Sequence, residues 1–238
     1  GFERLATMER EIVQRAVSPT ELSREELRRW KCHGFGDAHI ADALAGFPPE
    51  GVKSLGAGVD EAAVMRRRHA MGLHPVYRMV DSCAAEFAAK TPYYYSTYEP
   101  FGEEGIDALP DLEQRTKQRL VTIGSGPIRM GQGIEFDYGC VHAVNAIRDA
   151  GHDAILINNN PETVSTDFDT SDRLYFDPLT LEYVSEILLR EQAHGILLQF
   201  GGQTAINLAS PLEQRMPDLA QKGLNMAIMG TSCDAIDE

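Results

Sequence analysis

The stretch from Leu120 to Asp172 constrains the fold more than any other part of the chain. It opens with the apolar run Leu120-Val121-Thr122-Ile123. It then passes through Gly124-Ser125-Gly126-Pro127-Ile128-Arg129-Met130-Gly131-Gln132-Gly133 into Ile134-Glu135-Phe136-Asp137-Tyr138. A second apolar run ends in Asn158-Asn159-Asn160-Pro161-Glu162-Thr163, followed by Asp167-Phe168-Asp169-Thr170-Ser171-Asp172. An apolar run, a glycine-rich turn, a helical segment and a second apolar run closed by a polar turn form a strand–loop–helix–strand unit. Open α/β sheets bind ligands at the carboxyl ends of their strands, which is where these polar groups gather.

The same alternation continues. Strands are expected at Leu120–Ile123, Ala154–Ile157, Gly195–Phe200 and Ala227–Met229, with a weaker one at Arg173–Phe176 suited to a solvent-facing edge. Helices are expected at about Tyr138–Ala150, Thr180–Glu191 and Thr204–Glu213. Alternating strands and helices imply a doubly wound parallel sheet.

Residues 1–90 carry helical spacing instead. Ile12, Val13, Ala16 and Val17 form one apolar stripe, broken at Ser18-Pro19. Ser23 and Glu26 fit a capping box, in which each side chain satisfies the other's free amide. Asp37 is placed to cap a helix through Ala38–Leu44, and Asp60 one that runs to about Ala70 and stops at Gly72. One more helix is expected at Asp81–Ala89. Arg66-Arg67-Arg68 reads as a solvated helix face. Four tyrosines in Tyr93–Tyr98 form an extended connector, expected to pack between two domains, and residues 99–118 read as an exposed linker.

The chain has 238 residues, enough for two domains. It has no run long enough to span a membrane, and its start lacks signal-peptide features. The absent initiator Met suggests a piece of a longer protein. Four cysteines, none at metal-ligand spacing, read as reduced thiols. The net charge of −14 argues against nucleic-acid binding. Residues 1–118 carry 15 Lys/Arg against 19 Asp/Glu, and residues 119–238 carry 7 against 17. The second half is therefore poorly charged to hold a polyphosphate unless cations come from elsewhere.

The glycine loop fails two familiar patterns on specific residues. A P-loop needs Lys followed by Ser or Thr, and Gly131-Gln132-Gly133 offers neither. A dinucleotide fold needs its third glycine two positions earlier and an acid where Asn158-Asn159-Asn160 stands. A nicotinamide-binding domain is thereby set aside. The acidic cluster Asp167, Asp169, Asp172 lacks the glycine and terminal Glu of an EF-hand and suits turns. Glu162, after a proline at the carboxyl end of the sheet, stands out as the carboxylate that faces a cleft. Gly201-Gly202-Gln203-Thr204 offers backbone amides at a helix start, or a plain tight turn. His142, between apolar helix neighbours, reads as structural.

Taken together the strings Gly124–Tyr138, Asn160–Asp167, Asp169–Phe176 and Gln199–Thr204 resemble the synthetase part, or large subunit, of carbamoyl phosphate synthetase. His74-Pro75-Val76-Tyr77, Asp81–Phe87 and Thr91–Glu99 match as well, so the resemblance covers nearly the whole chain. Gly-Pro-Ile-Arg and Asn-Asn-Asn-Pro look like the eukaryotic-type form. Gly46–Gly58 looks longer than usual for the family.

The resemblance implies an all-helical N-terminal oligomerisation domain over residues 1–118, with a linker from about residue 99. It implies an α/β doubly wound, Rossmann-like pre-ATP-grasp domain over residues 119–238. The parent would be an ATP-dependent ligase making carbamoyl phosphate from bicarbonate, ammonia taken from glutamine, and two ATP. MgATP would be bound mainly by an ATP-grasp domain outside these residues, so the piece alone is expected to be inactive. By matching motif positions, Gly133 and Glu162 are tunnel candidates, Gly133 because any side chain would occlude a narrow passage. Arg129, Gln132 and Gln203 come next for the wall of the site. Gly126, Glu135, Asn160, Thr163, Gly201, Gly202 and Thr204 complete the set, with no metal ligand and no catalytic residue assigned. Implied partners are a glutamine amidotransferase subunit or domain, the remaining synthetase domains, and a second copy through the helical domain. Neither nucleic acid nor membrane is implied. The family implies pyrimidine or arginine synthesis in the cytoplasm, with a mitochondrial form left open. The alternative is a non-catalytic oligomerisation or regulatory module, motivated by the apolar helical stripes and the tyrosines.

Overall fold

The computed structural model describes residues 1–15, 18–46, 59–81, 91–98, 109, 115–127 and 134–231. The expected helix at Asp81–Ala89, the stretch after Gly46 and most of the linker lie outside the described residues. The chain divides into two compact units, Gly1–Val76 with Thr97–Gly105, and Tyr77–Ser96 with Ile106–Glu238.

The described elements of the first unit include helices α1 (Phe2–Arg15), α2 (Arg24–Cys32), α3 (Asp37–Ala45) and α4 (Glu61–Ala70), with a 3₁₀ turn at Pro19–Glu21. Ile12, Leu22, Leu27, Trp30, Ile40, Leu44 and Val64 make its core. Local signals act as expected. Ser23 and Glu26 form the capping box, Asp60 accepts from the amide of Ala63, and Gly72 stops α4 at φ +63°. Two expectations are overturned. The N-cap of α3 is Gly36, without a side-chain bond; Asp37 is instead fully buried, 3.1 Å from Lys31 Nζ and 2.9 Å from Arg68 Nη2. Arg68 is correspondingly buried rather than solvated, and the ring of Tyr98 lies under both cations. Arg67 donates twice to the carbonyl of Leu22. A buried charge needs a partner, and here the topology supplies one 31 residues away.

The second unit is built on a seven-stranded sheet of β1 (Val76–Met79), β2 (Tyr93–Thr97), β3 (Arg119–Ile123), β4 (Asp153–Ile157), β5 (Arg173–Tyr175), β6 (Gly195–Leu197) and β7 (Ala227–Met229). Its order is β1-β2-β5-β4-β3-β6-β7, and every pair from β2 to β7 is parallel. Helix α5 (Glu135–Asp149) follows β3, α6 (Leu181–Glu191) follows β5, and α7 (Gly202–Ile206) and α8 (Ala209–Gln221) follow β6, while β4 leads to β5 through a 3₁₀ turn at Val164–Thr166. The sheet is mostly parallel and Rossmann-like.

Three differences from the sequence reading have physical causes. The tyrosine segment is a strand, not a connector: Tyr93 pairs with Leu174 and Tyr94 with Tyr175, and Tyr94 joins the apolar core. β5 therefore lies inside the sheet between β2 and β4 rather than at an edge, and all three of its residues are buried. The helix expected at Thr204–Glu213 is two helices. Pro211 has no N–H to bond the carbonyl of Asn207, so α7 ends and Pro211 falls in the first turn of α8, where proline is tolerated.

Charged side chains gather at the amino end of the sheet. Buried Glu191 accepts from Arg173 Nε at 2.9 Å, from Arg115 and from the hydroxyl of Tyr175. Arg119 caps the last carbonyls of α6, Glu191 O at 2.6 Å and Gln192 O at 3.2 Å. Burial, then the Glu191 carboxylate, pushes the Tyr175 phenol well above its ordinary range. These groups converge on Glu191.

Candidate functional site

β3 has β4 on one side and β6 on the other, which makes it the point where the strand order reverses. In such a sheet the loops after the strands diverge there and leave a crevice. The glycine turns after β3 and β6 meet at this point. A Cβ on Gly201 would stand 2.5 Å from the carbonyl oxygens of Ile123 and Gly124. Gly126 is buried at φ +70°, a conformation that side chains resist. Its amide turns inward to Asn158 Oδ1 at 3.1 Å.

Between the start of α5 and the turn after β4 lies a groove of about 580 Å³. It is lined by Ile134, Asp137, Tyr138, Val141 and the segment Pro161–Val164, with Asp167. Ile134, Tyr138 and Val164 are among the most exposed large apolar side chains of the described residues, and Phe168 stands nearby in sequence. Two carboxylates play different parts here. Glu162 is exposed on the wall. Asp137 is buried and accepts from the amides of Val164 at 2.9 Å and Ser165 at 3.3 Å, pinning the turn to α5. An amphipathic groove with an acidic rim suits a small polar guest better than a polyphosphate, which the carboxylates would repel.

Of the sequence-derived residues, Glu162 and Thr163 line this groove. Asn160 sits behind them, its Oδ1 accepting from the Glu162 amide at 3.0 Å. Glu135 is exposed as the first residue of α5. Gly126 belongs to the neighbouring glycine turn. Gly201 and Gly202 are buried beside that turn, while Thr204 is half-buried and Gln203 donates to Asn207 on its own helix at 2.6 Å. Arg129, Gln132 and Gly133 lie outside the described residues. His142 is exposed with its ring 4.2 Å from that of Tyr138, rather than buried among apolar neighbours. Asp172 accepts from the Ala154 amide at 2.8 Å and keeps its turn role.

Sequence reasoning missed Asp137 and Asn158. Both stand inside motifs it singled out, but their bonds run to other loops. The only local signal was that Asn158 is the first polar residue after the β4 run.

The chain is similar to known proteins over most of its length. The family described as the carbamoyl phosphate synthase preATP-grasp domain matches residues 116–238. The chain is 49% identical over 216 residues to the carbamoyl phosphate synthase large chain of Methanothrix thermoacetophila, covering 91% of this chain and 18% of that protein. It is 50% identical over 218 residues to the large chain of Haemophilus ducreyi, covering 92% and 18%. For Myxococcus xanthus the figures are 49% over 217 residues, 91% and 17%. The chain thus spans less than a fifth of the length of these relatives.

Proposed function

Because this chain belongs to the carbamoyl phosphate synthase family, through its preATP-grasp domain, we propose that it is a section of an ATP-dependent ligase that makes carbamoyl phosphate from bicarbonate, glutamine-derived ammonia and two ATP. In this reading residues 119–238 open the second, carbamate-phosphorylating half. Their carboxyl-end groove walls the site and the passage that delivers carbamate. The helices of the first unit, within Gly1–Val76, are an oligomerisation domain, and self-association runs through it. MgATP is held mainly by an ATP-grasp domain other than these residues, and glutamine is hydrolysed by an amidotransferase subunit or domain. The parent acts in pyrimidine or arginine synthesis, in the cytoplasm.

The observation that carries the reading is the groove itself. It joins Glu162 and Thr163 to α5 beside the turn that follows β4, and it has the acidic rim, while the sequence has no P-loop lysine. Apolar walls keep bulk water from an unstable intermediate, while Glu162 keeps one side of the route polar. The exposed Ile134, Tyr138, Val164 and Phe168 are a surface for the remaining domains to cover.

The test is ATP formation from carbamoyl phosphate and MgADP, with this chain compared to one extended through the next domain. Activity only in the extension supports the reading. A folded but silent extension overturns it.

A further inference from the structure

We infer that Asn158 is a positioning residue that joins the glycine turn to Glu162 through a hydrogen-bonded relay, an assignment that rests on the reading of Glu162 given above. Asn158 follows the last residue of β4 and has no exposure. Its own amide donates to the Tyr175 carbonyl at 3.0 Å, so its backbone belongs to the sheet, the most rigid part of the unit. From that fixed point its single side-chain oxygen accepts twice, from Gly126 N at 3.1 Å and from Asn160 N at 3.3 Å. The side chain of Asn160 then accepts from Glu162 N at 3.0 Å. Three hydrogen bonds therefore run in series from the β3 turn to the carboxylate on the groove wall.

Two further features concern the surroundings of the amide group. Gly124 lies so close that a Cβ there would stand 2.5 to 2.7 Å from Cγ, Nδ2 and Cβ of Asn158. No side chain therefore fits at residue 124, and the Asn158 amide packs directly on the glycine backbone. The Nδ2 of Asn158 is buried without a hydrogen-bond partner among the described residues. An asparagine that leaves its donor unsatisfied in the interior is there for its acceptor. The far end of the same turn is anchored separately by Asp137. The part of the turn between the two anchors is the part that bears Glu162.

Aspartate is isosteric and keeps the acceptor; leucine fills the space and removes it. Backbone hydrogen exchange on the 238-residue chain reads the relay without any turnover. Asn158→Leu is expected to speed exchange at Gly126 and in residues 159–163 by about tenfold, the scale of one lost hydrogen bond. Ile155 and Val121 are expected to stay unchanged, and Asn158→Asp to retain protection. Unchanged exchange at 159–163 in Asn158→Leu, or equal acceleration throughout β3 and β4, would overturn the relay. In the complete enzyme, ADP released per carbamoyl phosphate formed is compared for Asn158→Leu, Glu162→Gln and the double variant. If Asn158 acts through Glu162, the double variant is no worse than the more impaired single one. Multiplied effects would overturn the assignment. An unaltered ratio in Glu162→Gln removes the role given to Glu162, and with it the functional half of the inference, but leaves the exchange result standing.

Discussion

Gly201→Ala separates steric from conformational demands at the switch point. Gly201 has φ −84° and ψ 16°, a region open to any residue, so alanine brings no backbone strain. Its methyl, however, would stand 2.5 Å from Ile123 O, 2.5 Å from Gly124 O and 2.6 Å from Ala205 Cβ. Carbon–oxygen contacts settle at about 3.3 Å, so the β6 turn must withdraw from β3 by most of an ångström. Two of the three neighbours are buried backbone carbonyls, one ending β3 and one in the turn after it, and cannot rotate aside as a side chain could. Overpacking costs about 1–3 kcal/mol, and the upper end applies here. Gly223→Ala is the control. Gly223 has φ +87° with nothing within 4 Å of a Cβ, so its cost is the left-handed strain alone, about 1 kcal/mol. Urea unfolding followed by far-ultraviolet circular dichroism compares the two, with equal slopes required. If Gly201→Ala costs no more than Gly223→Ala, the close approach of the two turns is wrong.

Asp37→Ala leaves Lys31 and Arg68 buried without their carboxylate, and is expected to cost about 3–5 kcal/mol in thermal unfolding. A loss under about 1 kcal/mol contradicts the buried cluster, while exposed Arg66→Ala should stay within about 0.5 kcal/mol. Partial burial pushes the Glu26 carboxyl up, but bonds from the Ser23 hydroxyl and amide and from Arg15 outweigh it and bring it down to about 2 from 4.5. Its contribution, about 1 kcal/mol for a partly exposed cap, is therefore present above pH 4.5 and lost as pH falls towards 2. Glu26→Gln should flatten that limb of the urea midpoint against pH, and an unchanged limb refutes the assignment. Burial, then Asp137, pushes the Cys140 thiol up to about 12, so native alkylation at pH 8 should spare it while modifying half-buried Cys32. Equal labelling in peptide mass analysis contradicts this.

The relatives' 45–50% identity spans the helical segments as well as the sheet. What could be read directly from the residues was short in range. The capping box at Ser23, the cap at Asp60, the stop at Gly72 and the strand–turn–helix rhythm after Leu120 are each set by bonds or periodicities within a few positions. The motif strings around Gly126, Glu162 and Gly201 also stand in the chain itself, and they mark the carboxyl end of the sheet.

Tertiary structure decided whatever depends on a distant partner. Asp37 has the local pattern of a cap, but its carboxylate lies beside Arg68, and a buried ion pair outweighs one exposed cap bond. Arg173–Tyr175 has the length of an edge strand, yet Tyr93–Thr97 pairs outside it and makes it interior. Asn158 and Asp137 are ordinary polar residues at element ends until the fold brings the amides of Gly126, Asn160, Val164 and Ser165 to their oxygens. Local chemistry chooses the elements and their ends. Which elements become neighbours is settled only when the apolar faces of the sheet and helices are buried together, and the site is made of those neighbours.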